Sequence, residues 1–151
     1  MPNKTLSLIF QTADLNYLNK SLISACADGD MDIVKYLLTS NEMHPIYKNG
    51  ILIRPAYAEI NCEQGQPIIS AAINNQLQMV KYLLTSPDLK EKADIYLRNS
   101  SALLTAIHWG HLDIVNYLIF DYKIFKPEAF DQYLNHSENL NFDIAENMFN
   151  A

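Results

Sequence analysis

Apolar positions recur at helical spacing in three copies of one pattern. The copies are LISACADGDMDIVKYLL from Leu22, IISAAINNQLQMVKYLL from Ile68 and LLTAIHWGHLDIVNYLI from Leu103. In the second half of each copy, apolar residues fall at i, i+1, i+4 and i+5 and so form one stripe on a helix. The heptapeptide VKYLLTS occurs identically at 34–40 and 80–86. The pattern predicts an all-α protein built from repeated pairs of helices.

Each copy also carries a residue suited to a left-handed turn between its two helices. These residues are Gly29, Asn75 and Gly110, and Gly and Asn adopt that conformation most readily. The first helices hold small residues, which favour close helix packing, at 25–26, 71–72 and 106. We expect these helices to begin near Ser21, Pro67 and Ser101. A finger, meaning the stretch before each first helix, starts with a matching turn-like lead at 13–16, 58–61 and 93–96.

The first copy is followed by extra chain. Equivalent valines at 34, 80 and 115 give offsets of 46 and 35 residues, so about eleven residues are inserted within 41–57. Asn49-Gly50 favours a tight turn, which predicts a small hairpin that pairs 46–47 with 51–53. We expect Ile51 and Ile53 to cover the side of the first repeats, and Tyr47, Lys48 and Arg54 to point outward towards a partner.

The third copy carries the closest resemblance to a known family. Its GHLDIV from Gly110 and ADI from Ala93 resemble the G-H-L-E-V-V and A-D-V of ankyrin repeats. The resemblance implies an ankyrin-repeat solenoid with three main repeats at 20–57, 58–92 and 93–127, and degenerate capping half-repeats at 4–19 and 128–151. The phrase KYLLTSPDL resembles ankyrin repeats in effector proteins of intracellular bacterial pathogens.

One departure concerns the family's T-P-L-H signature. Its places hold KSLI from Lys20, QPII from Gln66 and SALL from Ser101, so the signature His is missing from all three. We expect packing of Ile23, Ile69 and Leu104 to replace the bonds of that His between repeats. Lys35 and Lys81 are expected to be solvated on outer helix faces.

The resemblance implies non-catalytic binding of another protein through a concave face and the fingers. The concave face is assigned to Asp28, Ile73, Asn74, His108 and Trp109. The finger candidates are Tyr17, Glu63, Tyr96 and Arg98. Trp109 is the sharpest candidate, because Trp dominates interface hot spots. The alternative is that Trp109 packs on the capping pair.

Composition narrows the function further. Eleven Lys and Arg against seventeen Asp and Glu give a net charge of −6, which disfavours nucleic acid and anionic lipid as partners. Two cysteines and no long apolar run favour a reducing cytoplasm and no membrane span. His108, His111 and Asp113 share a metal-like spacing, but Gly110 turns the chain between the two His. We therefore expect no metal, no cofactor and no enzyme activity.

Two alternatives share the same fold. A secreted bacterial effector would bind a host protein in the host cytosol through the same face. A scaffold would associate with copies of itself, whereas the simplest expectation is a monomer.

Overall fold

The computed structural model describes residues 4–124, and its elements follow the repeat pattern. The helices are α1 Lys4–Phe10, α2 Leu15–Asp28, α3 Met31–Thr39, α4 Cys62–Ile73, α5 Leu77–Thr85, α6 Leu97–His108 and α7 Leu112–Asn116, which continues into a π-helical turn at Tyr117–Asp121. Between α3 and α4, strands β1 Ile46–Lys48 and β2 Ile51–Arg54 form a hairpin. The predicted cap at 128–151 lies outside the described residues.

The helices form two layers. The first helices α2, α4 and α6 pack side by side, and each second helix packs against the first helix of its own pair. Ala71, Ala72, Ala106 and Cys26 are fully buried where the first helices meet, because small side chains let the backbones approach closely. One continuous apolar core runs from Phe10 to Ile124.

The turns within the pairs match the prediction. Gly29, Asn75 and Gly110 have φ of 72°, 58° and 69°, all in the left-handed region. The residue after each turn donates its backbone N–H to a carbonyl of the preceding helix, at 2.9 Å in all three repeats. These bonds satisfy carbonyls that would otherwise end the helix unpaired. The turn prediction is therefore confirmed.

The first finger differs from the other two. The Asp14 carboxylate accepts a bond from the N–H of Tyr17 at 2.8 Å, so α2 already begins at Leu15. The prediction of a turn at 13–16 with a helix starting near Ser21 was wrong, because Asp14 caps the helix early. In the second and third fingers, three consecutive residues have left-handed φ before the right-handed helix starts, at 63–65 and 98–100.

Two side-chain bonds link consecutive repeats. Gln76 Nε2 donates to the Ala27 carbonyl at 3.1 Å, and His111 Nε2 lies 2.8 Å from the Ile73 carbonyl. Because a carbonyl only accepts, His111 must carry its proton on Nε2 for this bond. These links come from the residue after the second and the third turn. The expected packing of Ile23, Ile69 and Leu104 in place of the signature His stays a prediction.

The outer layer carries a second link between repeats, which we call the lysine–tyrosine seam. Lys35 Nζ lies 5.6 Å from the ring centroid of Tyr82, and Lys81 Nζ lies 5.2 Å from that of Tyr117. Each lysine thus stacks on a tyrosine of the next repeat, a cation–π contact worth ~0.5–1 kcal/mol at exposed sites. The expectation of simply solvated lysines missed this contact.

The predicted hairpin is confirmed. Asn49 and Gly50 have φ of 52° and 78°, as a tight turn with two left-handed residues requires. Tyr47 pairs with Leu52 and Lys48 with Ile51, and a bulge follows towards the base. The strands contact mainly each other. The hairpin, called the arm from here on, therefore projects from the helices.

Candidate functional site

The repeat geometry brings the predicted concave residues onto one face. Asp28, Asn74 and Trp109 occupy equivalent positions at the ends of α2, α4 and α6, and all three are exposed. Because these helices stack in order, their ends form one row across the repeats. Variable residues in a fixed row are what a binding surface on a repeat protein needs.

Trp109 is the largest exposed side chain of this row. It ends α6 and is 60% exposed. Its ring meets the exposed His108 edge to face, with centroids 5.2 Å apart at 87°. The alternative that Trp109 packs onto the capping pair involves residues outside the described range. Among the described residues, the indole is held by a neighbouring ring and remains accessible to a partner.

In the middle of the face, Ile73 and Asn74 also make contacts that stabilise the fold. Ile73 is half-buried against the core, and its carbonyl receives the His111 bond described above. Asn74 donates from Nδ2 to the Ser70 carbonyl at 2.8 Å, which helps to end α4. Ile73 therefore supports the face from below, and Asn74 presents its remaining amide oxygen.

The finger candidates are all exposed, and one of them joins two fingers. Arg98 donates to Gln66 Oε1 at 2.8 Å and to the Glu63 carbonyl at 2.7 Å. The side chains of Tyr17 and Tyr96 are 51% and 44% exposed. Arg98 thus positions the second and third fingers, whereas the two tyrosines offer large amphipathic rings to a partner.

The left-handed turns of these fingers are costly. A left-handed conformation costs ~1–2 kcal/mol for each non-glycine residue, and Arg98, Asn99 and Ser100 all adopt it. Glu63 and Gln64 do so in the second finger, where Gly65 completes the turn beside Leu97. The two Arg98 bonds tie one left-handed turn to the other and help to hold both.

A groove lies at the amino-terminal end of this face. It encloses about 360 Å³ and is lined by Phe10, Tyr17, Lys20, Ser21, Ser24, Ala25, Asp28, Asp30 and Ile33. It brings together the predicted residues Tyr17 and Asp28. Sequence reasoning missed Lys20 and Ser24. The available signal was their spacing from Tyr17, at i+3 and i+7, which places them on one side of α2.

Arg54 was predicted to point outward, and this prediction was wrong. Its side chain is only 1% exposed. Nη1 donates to the carbonyls of Phe10 at 2.7 Å and Ala13 at 2.9 Å, Nη2 to that of His44 at 2.7 Å, and Nε to that of Pro55 at 3.1 Å. Burial lowers the pKa of Arg54. The guanidinium lies at the base of the arm because its five N–H donors can satisfy several backbone carbonyls at once.

The expectation for Ile51 and Ile53 was also wrong. They are 69% and 56% exposed, and Leu52 between them is 51% exposed. Within the part of the chain that the structure describes, the arm projects from the helices, and its aliphatic side chains stay open to solvent. Tyr47, 61% exposed, and Lys48 do lie in solvent at the arm's tip. Whether they contact a partner stays a prediction.

The described residues offer little for catalysis. Within 4–124, no group of three or more His, Cys, Asp or Glu side chains is placed to hold a metal ion. Burial raises the pKa of Cys26 to about 12 and that of Cys62 to about 11, so neither thiol forms the reactive thiolate at neutral pH. Over the same residues, no helix has the length and apolar character to cross a bilayer.

Paired helices in series, joined by left-handed turns and fingers, define an α-helical repeat solenoid. A family model described as "Ankyrin repeats (3 copies)" matches residues 3–93 and again 22–131, and the chain belongs to this family. The predicted fold class is confirmed. Ankyrin repeats generally mediate protein–protein interactions and are generally non-catalytic. Searches of curated proteins and of solved structures found no match, so the resemblance to pathogen effectors stays a prediction.

Proposed function

We propose that this chain binds another protein through its concave face and fingers, with Trp109 as the anchor. The concave face comprises Asp28, Ile73, Asn74, His108 and Trp109. The fingers add Tyr17, Glu63, Tyr96 and Arg98.

The exposure of Trp109 carries the proposal. The Trp109 ring lies in a row of variable residues and is 60% exposed. Its burial would be favourable, and the free monomer does not gain that free energy. A partner that covers the ring recovers it, and truncation of such an anchor costs ~2 kcal/mol or more. The edge-to-face contact with His108 favours one orientation of the ring, which lowers the side-chain entropy that binding costs.

Hydrogen bonds between fingers support a rigid surface. Asn19 and Glu59 exchange two bonds of 2.9 and 3.1 Å. Asn61 accepts from the N–H of Asp94 at 2.8 Å, and Arg98 joins the next layer. A surface already ordered before docking loses little conformational entropy when the partner arrives. We infer that binding proceeds without refolding of the fingers.

Charge suggests the kind of partner. The chain carries a net charge of −6, and the face mixes Asp28 and Glu63 with Arg98. A partner with a basic or mixed surface is favoured, because complementary charge speeds encounter and rejects acidic competitors.

The test uses affinity capture from cell lysates followed by binding measurements on the recovered protein. Wild type is compared with Trp109→Ala and with Asp113→Ala, a matched change of an exposed residue on a second helix. We expect Trp109→Ala to weaken binding about 30-fold and Asp113→Ala to bind as wild type does. Because Trp109 is the only Trp, its fluorescence should shift to the blue when the partner covers it.

Equal affinity of Trp109→Ala and wild type, with no change in indole emission, would show that the partner docks elsewhere. Asn74→Ala and Tyr96→Ala extend the test across the face. If none of the three changes weakens binding while the variants stay folded, the concave-face proposal fails.

A further inference from the structure

The arm exposes four large apolar side chains in a small area. Tyr47, Ile51, Leu52 and Ile53 are 61%, 69%, 51% and 56% exposed. Paired residues share a face of the hairpin, so Tyr47 and Leu52 lie on one face and Ile51 lies on the other with Lys48. Removal of such apolar surface from water is favourable. An occupant that covers both faces would therefore gain considerable free energy.

The arm is also fixed in direction. The buried Arg54 ties its base to the carbonyl of Phe10, the last residue of α1, and to that of Ala13 in the link to α2. A two-stranded hairpin alone is marginally stable in water. The anchoring by Arg54 compensates for this and leaves the tip pointing away from the helices. The arm is thus arranged in advance for insertion into something outside its own chain.

The arm is basic, whereas the chain as a whole is acidic. Residues 43–58 include His44, Lys48 and Arg54 but no Asp or Glu, whereas the whole chain carries −6. Lys48 is exposed next to the tip. The arm is therefore apolar along its strands and basic at its end. A fitting site would offer apolar walls and a carboxylate.

The groove described above has these properties. Its lining includes the apolar residues Phe10, Ala25 and Ile33, the acids Asp28 and Asp30, and the base Lys20. The Asp30 carboxylate caps α3 by accepting from the N–H of Ile33 at 3.2 Å, so Asp28 is the acid that the arm would meet. The groove's volume of about 360 Å³ falls within the range of ligand-binding pockets. Phe10 lines this groove and also accepts a bond from Arg54 at the arm's base. Arm and groove therefore lie at the same end of the stack.

We propose that two copies of this chain associate about a two-fold axis at the α1 end, with the arm of each copy inserted into the groove of the other. In this arrangement Ile51, Leu52 and Tyr47 are covered, and Lys48 meets Asp28 of the second copy. A single two-fold operation creates both contacts, because each copy carries arm and groove side by side.

Helix α1 supports the same arrangement. Leu8 and Ile9 are 80% and 44% exposed on α1, directly before Phe10. In the dimer the two α1 helices lie near the axis and cover these side chains.

Other occupants fit the arm less well. A bilayer would have to admit the polar tip at Lys48 and Asn49 first, together with turn backbone groups that need hydrogen bonds. A flat protein surface would cover only one face of the hairpin. The groove of a second copy offers apolar walls and the acidic Asp28.

Sedimentation velocity over a wide range of protein concentration tests the proposal. We expect a monomer–dimer equilibrium for wild type. The double change Ile51→Ser, Leu52→Ser should shift it to monomer without altering the unfolding midpoint measured at low concentration, because both side chains are exposed. Trp109→Ser, at the other end of the described stack, should dimerise as wild type does. A wild type that stays monomeric at the highest concentration overturns the proposal.

A charge exchange tests the register of the contact. Lys48→Glu and Asp28→Lys should each weaken the dimer about tenfold or more, as close interface charge pairs do. An equal mixture of the two variants should restore it, because both arms then meet complementary grooves. Asp32→Lys, an exposed change on α3, is the matched control. Failure of the mixture to recover contradicts the proposed contact.

The two proposals share the groove residues Tyr17 and Asp28 but fail independently. Trp109 substitutions test partner binding, and substitutions of Ile51 and Leu52 test self-association. A result in either experiment therefore leaves the other proposal standing.

Discussion

In helices α3 and α5 the phrase VKYLLTS buries its valine and first leucine, whereas in strand β2 the phrase ILIR exposes its aliphatic residues and buries its arginine. Leu37 and Leu83 are fully buried, but Ile51 is 69% exposed and Arg54 only 1%. Each of these helices packs against the first helix of its own pair, which supplies apolar contacts. Among residues 4–124 the exposed side chains of the arm have no such neighbour, and its base lies among backbone carbonyls. Burial therefore depends on what surrounds a segment as much as on its residue types.

This contrast has a functional meaning. In the stack, each repeat meets the same packing requirement, so identical residues recur. In the arm, the exposed side chains lie outside the apolar core of the described residues. We infer that surfaces for other molecules lie where the copies differ, at the arm and on the concave face.

Arg54→Ala should have the largest effect. It leaves several poorly hydrated carbonyls without a donor, and we expect a loss of ~3–5 kcal/mol in the free energy of unfolding. Arg98→Ala is the matched control, since that guanidinium also bonds a carbonyl but is exposed; its loss should be ~1 kcal/mol or less. Urea unfolding at low protein concentration measures both. Similar losses for the two variants would mean that burial of Arg54 adds nothing.

Leu83→Ala compared with Leu52→Ala tests the contrast directly. Removal of the buried Leu83 leaves a cavity, and we expect a loss of ~3 kcal/mol. The half-exposed Leu52 should cost less than ~0.5 kcal/mol. The same urea measurement applies. A large loss for Leu52→Ala in the monomer would show that the arm packs on its own chain after all.

Gly29→Ala and Gly50→Ala compare turns of the stack and the arm. Both glycines have left-handed φ. A methyl group at Gly29 would also clash with the Gln76 amide that bonds Ala27, so we expect a loss of ~2–3 kcal/mol. At Gly50 nothing lies within 4 Å, and only the conformational cost of ~1 kcal/mol applies. Thermal or urea unfolding distinguishes them, and equal losses would show that the Gln76 link is unimportant.

Lys81→Gln should have the smallest effect. It removes the contact with the ring of Tyr117 in the seam, and we expect ~0.5 kcal/mol. Lys48→Gln on the arm should leave the monomer's stability unchanged. A double-mutant cycle with Tyr117→Leu isolates the pairwise energy. A coupling energy of zero would show that the proximity of Lys81 and Tyr117 contributes no stability.

The sequence predicted those features that repeat or depend on local turn chemistry. The helix pairs followed from the apolar stripe, the turns from Gly29, Asn75 and Gly110, and the hairpin from Asn49-Gly50. Each of these is determined by residues close together in the chain, and the structure contains each of them.

Other features depend on distant residues and could not be predicted in this way. The burial of Arg54 depends on carbonyls at 10 and 13, more than forty residues away. The left-handed turns at 63–65 and 98–100 share no sequence, and only Gly65 and Asn99 favour that conformation. The seam did leave a signal in the sequence. Tyr82 directly follows the position that corresponds to Lys35 in the next repeat, and Tyr117 stands in the same relation to Lys81.

The placement of Arg54 also has a mechanical consequence. Its guanidinium grips the chain at Phe10 and Ala13 on one side and at His44 and Pro55 on the other. The Arg54 side chain thereby connects the first helix to the arm, although more than thirty residues separate them along the chain. We call this connection the strut. A force that pulls α1 away from the stack must break these Arg54 hydrogen bonds, and the orientation of the arm is then lost in the same event. The strut makes the first helix and the arm one mechanical unit.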